Sequence, residues 1–247
     1  MIPNINLSHG RKLNDKEKES LYVELQQSTD FQKVISKVKK FNTLLNQEKV
    51  FRSGNIFEFV DDNNNLIVGT RIVFQIGENS LFLYQKTKSE EIAKVEVMAA
   101  TKVLTKDETK LVTIFIDGEE VVEVDGLYSN NFNQDFDEGL PDLENYVQGQ
   151  SLNEVQPQYN WGDGCYPLYK HCGRNCGDKG KYGGGTPKNA YDTCCRTHDR
   201  CWENFGVDDC QCDCQFIACA KKNFLVAPAV LHAIVLSYFP RKSGCKC

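Results

Sequence analysis

The sequence predicts two unlike units: an α+β N-terminal domain, helices then an antiparallel meander, followed by a small, disulfide-rich, mainly α domain. Three observations carry this. Apolar residues recur at three and four over residues 14–46, the period of an amphipathic helix. From Val50 to Leu127 the period drops to two, with polar or glycine turns between the runs, as half-buried strands require. All 12 cysteines fall between Cys165 and Cys247, and residues 1–164 have none. A chain of 247 residues has room for two modest domains. They are expected at 1–128 and 161–247, with a polar acidic linker over 129–160.

Asn14 or Asp15 stands where a cap should, with Glu17 and Glu19 near the positive end of the helix dipole. Leu21, Leu25, Phe31, Val34, Ile35, Val38, Phe41 and Leu45 mark the buried stripe. Ser28-Thr29-Asp30 breaks it into two helices, the second capped by Thr29 or Asp30. Five or six strands follow. Ile56, Phe57 and Phe59 precede the polar turn Asp61–Asn65. Then come Leu66–Phe74, a turn at Gly77-Glu78-Asn79, Leu81–Gln85, Ala93–Leu104, Lys110–Ile116, a turn at Asp117-Gly118, and Glu119–Val124. This stretch has no histidine and no metal-ligating cluster, so it reads as a structural, binding or pro-domain.

Ser129–Gln158 is rich in Asn, Gln, Asp and Glu, contains Pro141 and Pro157, and lacks periodicity. It reads as a linker open to proteolytic nicking. Beyond it, a glycine-rich loop over Gly173–Pro187 leads to a helix at Asn189–Phe205. A second helix starts at Asp208 or Asp209 and runs through Cys210–Asn223. The apolar segment Phe224–Phe239 is shorter than the ~18 residues of a membrane span and contains Pro228, His232 and Ser237. It reads as a buried helix, with an apolar lip that meets lipid as the alternative.

An even number of closely spaced cysteines reads as a disulfide framework. Such frameworks persist in oxidising compartments, which predicts a secreted or extracellular protein. The opening MIPNINLSHGRKLNDKEKES has no apolar core of a signal peptide, so the export route is open. A zinc cluster at Cys210, Cys212 and Cys214 is the rival, but the paired CxxC knuckles of structural zinc are missing. Charge divides too. From Trp161 onward 12 Lys and Arg face 8 Asp and Glu, a balance of +4; before it, 17 face 26, a balance of −9. The basic module favours anionic surfaces, and the acidic part is free to dock on it. A phospholipid membrane or micelle surface is the expected partner, and nucleic acid is not.

The densest chemistry is Cys194-Cys195-Arg196-Thr197-His198-Asp199-Arg200-Cys201. Adjacent helical side chains diverge by about 100°, so His198 and Asp199 address different atoms of one site. An ester hydrolase without a serine nucleophile needs a base for water, a group fixing that base's tautomer, and a cation at the oxyanion. His198 suits the base. Asp213, fifteen positions on and beyond a turn at Gly206, suits the orienting group if two antiparallel helices face each other. Asp199 suits Ca²⁺, which wants ~6–8 oxygens. Carbonyls of the glycine-rich stretch His171–Gly177 can converge on it, because Gly and Asn tolerate positive φ.

These segments resemble the secreted phospholipase A2 family. CCRTHDRC matches its CCxxHDxC and is closest to the bee-venom branch. Cys210–Cys219 matches CxCDxxxxxC, and His171-Cys172-Gly173-Arg174-Asn175 sits where the family has its calcium loop, WCGxG. The resemblance covers about 80 residues, a third of the chain. It implies Ca²⁺ as cofactor, held by Asp199 and the carbonyls of His171, Gly173 and Asn175. It implies that His198 deprotonates a water that attacks the sn-2 ester of a glycerophospholipid, with Asp213 orienting His198. Ca²⁺ and the Gly173 N–H would hold the oxyanion and phosphate. The implied disulfides are Cys172–Cys195, Cys194–Cys219 and Cys201–Cys212, with Cys210 joined to Cys245 or Cys247. The pairing of Cys165, Cys176, Cys214 and the other tail cysteine stays open. Departures are an insertion at Asp178–Gly185, Asn175 for a glycine, His171 for an aromatic, and Trp202 where tyrosine is common. A second calcium loop, Cys176-Gly177-Asp178-Lys179-Gly180, therefore competes with the first. Trp202 is expected to lose a hydrogen bond to Asp213. The rival functions are a non-catalytic phospholipase A2-like toxin, and a bacteriocin-like precursor whose N-domain masks a basic cysteine-rich module.

Overall fold

A computed structural model of the chain describes residues 9–42, 47–60, 65–89, 93–105, 108–117, 119–127, 131–152 and 164–242. The N-terminal part is one seven-stranded sheet with every neighbour antiparallel, in the order β1 to β7. The strands are β1 (His9–Lys12), β2 (Lys49–Val60), β3 (Leu66–Ile76), β4 (Ser80–Lys88), β5 (Ala93–Leu104), β6 (Thr109–Asp117) and β7 (Glu120–Leu127). Strands β2 to β7 are the expected meander, joined by short turns. Strand β1 is new, and it sets a strand ahead of the two N-terminal helices. It pairs with β2 from His9↔Glu58 to Lys12↔Asn55. Four residues are too few to show a period. Most of the Asp61–Asn65 turn and Gly118 lie outside the described residues.

Helices α1 (Asp15–Gln26) and α2 (Thr29–Phe41) follow β1. Asn14 caps α1 in a reciprocal box with Glu17, satisfying two of the orphan N–H groups at a helix start. The cap of α2 is Ser28 rather than Thr29 or Asp30. Its extended backbone lets the hydroxyl accept the Phe31 N–H. Both helices lie on one face of the sheet. Phe31, Val34 and Val38 are buried there against Ile72, Phe74, Phe82, Val97 and Ile114. Phe74 and Phe82 stack at 5.2 Å, and Tyr22 sets its edge on Phe74 at 5.1 Å.

The opposite face packs against the cysteine-rich part. That part contains α3 (Ala190–Phe205), α4 (Cys210–Lys222) and α5 (Ala229–Lys242), with a short 3-10 turn at Phe224–Val226. Phe57, Phe59, Leu83, Met98 and Phe115 of the sheet share one apolar cluster with Phe216, Ile217, Leu231, Val235 and Phe239 of the helices. The segment Phe224–Phe239 is thus mostly a buried helix. Among the described residues no helix is long and apolar enough to cross a membrane. A buried ion pair, Lys221 Nζ to Glu96 Oε2 at 2.8 Å, also spans this boundary.

Residues 131–152, expected to be linker, lie on the sheet. Phe132 and Phe136 join the core cluster. Buried Glu58 of β2 accepts from the Tyr146 hydroxyl, the Gly149 N–H, and the Ser151 N–H and hydroxyl, all within 2.9 Å. Polar composition concealed two anchoring phenylalanines and a carboxylate that collects donors.

Candidate active site

Asn189 caps α3 and Asp209 caps α4, each accepting a backbone N–H three residues on. Gly206, at φ +106°, lets the chain reverse between them. The disulfides Cys194–Cys219 and Cys201–Cys212 join the helices like two rungs, which makes α3 and α4 antiparallel. Between the rungs lies the pair the sequence singled out. His198 Nε2 is 2.8 Å from Asp213 Oδ1, and both residues are buried. With Nε2–H donating to the carboxylate, Nδ1 keeps its lone pair, which is the tautomer a general base needs. Burial pulls the His198 pKa below its ordinary value, although the hydrogen bond to Asp213 opposes this.

Trp202 corrects one expectation. Its indole Nε1–H donates to Asp213 Oδ1 at 3.0 Å, so the acid does gain a hydrogen bond from this position. An indole N–H one helical turn beyond His198 can reach the same carboxylate. Trp202 (4.3 Å), Phe216 (4.5 Å, near-parallel) and Phe239 (5.1 Å, edge-on) enclose the imidazole. A void of only 30 Å³ adjoins it, lined by Thr197, Gln215 and the rung cysteines.

Asp199 faces the other way, into a cavity of about 190 Å³ that is also lined by Asn175, Asp178, Gly180, Trp202 and Glu203. Burial pushes its carboxyl up to about 7, and Glu203 and Asp178 push in the same direction. Of the four residues expected around a cation, Asp199 and Asn175 line this one cavity. Asn175 adopts the positive φ anticipated, +53°, and its carbonyl accepts the Tyr182 N–H. Gly173 packs against Gly164–Tyr166 instead. The His171 ring is buried, and Nε2 bonds the Gly185 carbonyl at 3.0 Å. Gly177, from the competing segment, lies nearest the acid: a Cβ there would stand 3.0 Å from Asp199 Oδ2 and 3.6 Å from His171 Nδ1. Asp178 is tied down by Arg200 at 2.6 Å and by the Gly185 N–H.

Sequence reasoning missed Asp192. This fully buried acid accepts the N–H groups of Lys170, His171, Cys172 and Lys188, and so fastens the glycine-rich loop to the first turn of α3. The only signal was an acid in a helix's first turn, a placement usually explained by the dipole. Cys172–Cys195 adds a covalent tie at the same place. The three pairings that the resemblance implied are all present, and the open question over Cys165 and Cys176 resolves as a bond between them. Cys210 and Cys214 are also disulfide-bonded; the tail cysteines lie outside the described residues.

Comparisons with family models, with curated proteins and with solved structures return no match.

Proposed function

We propose that this protein is a calcium-dependent ester hydrolase of phospholipase A2 type, acting on glycerophospholipids at a membrane or micelle surface. One observation carries the reading: a buried His198–Asp213 hydrogen bond on two cross-bridged antiparallel helices, with the adjacent Asp199 lining a cavity that Trp202 also borders. In this reading His198 Nδ1 takes the proton of an attacking water. Asp213 holds the tautomer and stabilises the imidazolium, and Trp202 holds Asp213. Beside Asp199 the cavity offers oxygens of Asn175, Asp178 and Glu203, the donor type a hard cation takes, along with the Lys179 ammonium that pairs with Glu203. Asp199 would hold the cation with oxygens of the Asn175–Gly180 turn, the nearness of Gly177 favouring the second glycine segment. A bound Ca²⁺ would polarise the ester carbonyl and offset oxyanion charge.

One observation favours a non-catalytic or latent member instead: His198 is only 3% exposed and ringed by aromatics. Ester release from mixed micelles, with and without EGTA, separates the readings. Hydrolysis should need Ca²⁺ and fall by about 10²–10⁴-fold in His198→Gln, the usual contribution of a general base. Release that ignores EGTA, or survives that substitution, rules the hydrolase reading out.

A further inference from the structure

Along β3 the even-numbered residues all face the side of α1 and α2. Ile72, Phe74 and Ile76 are buried beneath those helices, but Leu66, Val68 and Thr70 continue the same row and are only half-buried. With Ile56 of β2 they line a cavity of about 650 Å³, a size usual for small-molecule sites. Leu21 of α1 adds to its walls, as does Leu152, next to the residues that hold Glu58. The charged lining has one sign. Lys88 and Lys86 stand on β4, opposite Val68 and Thr70, and the remaining polar lining, Thr70, Ser89 and Gln148, is neutral. Lys86 Nζ is taken by Glu24 at 2.5 Å. Lys88 is exposed, and among the described residues no carboxylate pairs with it. Glu58, opposite Val68 on β2, is buried beneath its own four donors and does not line the cavity. The backbone offers a guest nothing. Strands β2, β3 and β4 are paired on both edges, so a peptide cannot add as a further strand. Recognition is left to an apolar floor and one unpaired ammonium, which together match a hydrocarbon chain with a single negative end.

We propose that this groove binds a long-chain fatty carboxylate, its alkyl chain on Ile56, Leu66 and Val68 and its head at Lys88. The groove lies on the face of the sheet opposite α4 and α5, and the proposal is independent of the hydrolase reading. The test is displacement of a dansylated fatty acid from the full chain, in EGTA and below the micellar concentration, by dodecanoate, tetradecanoate and tetradecanol. Binding should saturate at one molecule per chain and tighten about fourfold for each methylene added. Tetradecanol, which lacks the head charge, should bind about threefold more weakly than tetradecanoate. Lys88→Glu should weaken the carboxylates about tenfold and leave the alcohol unchanged. Val68→Gln, which sets an amide across the floor, should abolish binding of both. Absence of saturable binding, equal affinity for acid and alcohol, or carboxylate affinity unchanged in Lys88→Glu overturns the proposal. If Val68→Gln does not fold, Lys88→Glu still decides, because that side chain is exposed.

Discussion

The two faces of the sheet are covered by helices of comparable length and buried in very different ways. Beneath α1 and α2 the described core is hydrocarbon and aromatic ring, Phe31 on Phe74 and Phe82. Its ionic groups sit at the margin, such as Glu58 under the 146–151 strap. Beneath α4 and α5 the apolar cluster is threaded by Arg71, Gln85, Glu96, His232 and Lys221. Apolar contacts are nondirectional and tolerate small shifts, whereas buried polar groups count only when every partner is in place. The first face draws its buried residues from the N-terminal part alone. The second requires the cysteine-rich part to arrive in one register.

The largest test of that contrast removes half of the buried ion pair. Lys221→Met should cost about 3–5 kcal/mol by stranding Glu96, with the Lys94 contact at 3.3 Å keeping it toward the lower end. Adding Glu96→Leu should recover most of the loss, because an apolar pair has no charge to strand. Phe82→Ala on the opposite face should cost about as much, and no second substitution of a polar partner should rescue it. Denaturant unfolding of the three variants and the parent chain checks this; a single Lys221→Met change within 0.5 kcal/mol would show the seam to be dispensable.

A smaller effect is expected at the margin of the dry face. Burial alone would raise the Glu58 carboxyl, but the N–H groups of Ser151 and Gly149 and the hydroxyls of Ser151 and Tyr146 outweigh it and hold the pKa below its ordinary value. A depressed pKa contributes stability above the unfolded value, near 4.5, and loses it as the pH falls through the folded one. Glu58→Gln should thus cost about 1–3 kcal/mol at pH 7, and the difference should shrink steadily below pH ~4.5. It should also make residues 146–151 easier to cleave at neutral pH, which limited proteolysis reads directly.

The smallest effect concerns the dyad. A neutral His198 is the active form, and burial lowers its pKa. If the hydrolase reading holds, kcat/KM measured at saturating Ca²⁺ should fall with acidification only below the usual imidazole range near 6.5. An acid limb above pH 7 would contradict this. Calcium binding should weaken toward lower pH first, since the Asp199 carboxyl without a cation titrates at about 7. Raised above the value of an unfolded aspartate, it also makes the calcium-free protein less stable as pH rises toward neutrality.

What could be read from the chain follows the range of each interaction. Caps, turns and apolar periods are local, so α1 to α4 and strands β2 to β7 were legible to within a few residues. The facing of His198 and Asp213 was legible because a turn at Gly206 lets two short cysteine-bearing helices lie antiparallel, and the resemblance implied which cysteines join them. Strand β1 was not, since its pairing depends on a partner some 45 residues away. The polar row beneath α5 was not either. Asn55, Arg71, Gln85 and Glu96 occupy the alternate positions that a strand ordinarily turns to water, and only α5, from the far end of the sequence, converts that face into interior. Asp192 and the anchoring Phe132 and Phe136 escaped notice for the same reason: their partners are remote. Which glycine segment approaches Asp199 was left open by composition, because both contain the residues a reversal needs.

The rungs at Cys194–Cys219 and Cys201–Cys212 bracket the dyad on both sides. The sheet and its first two helices contain no sulfur cross-link at all. Reduction would therefore act on one end of the molecule alone, freeing α3 from α4 where the imidazole and its acid meet.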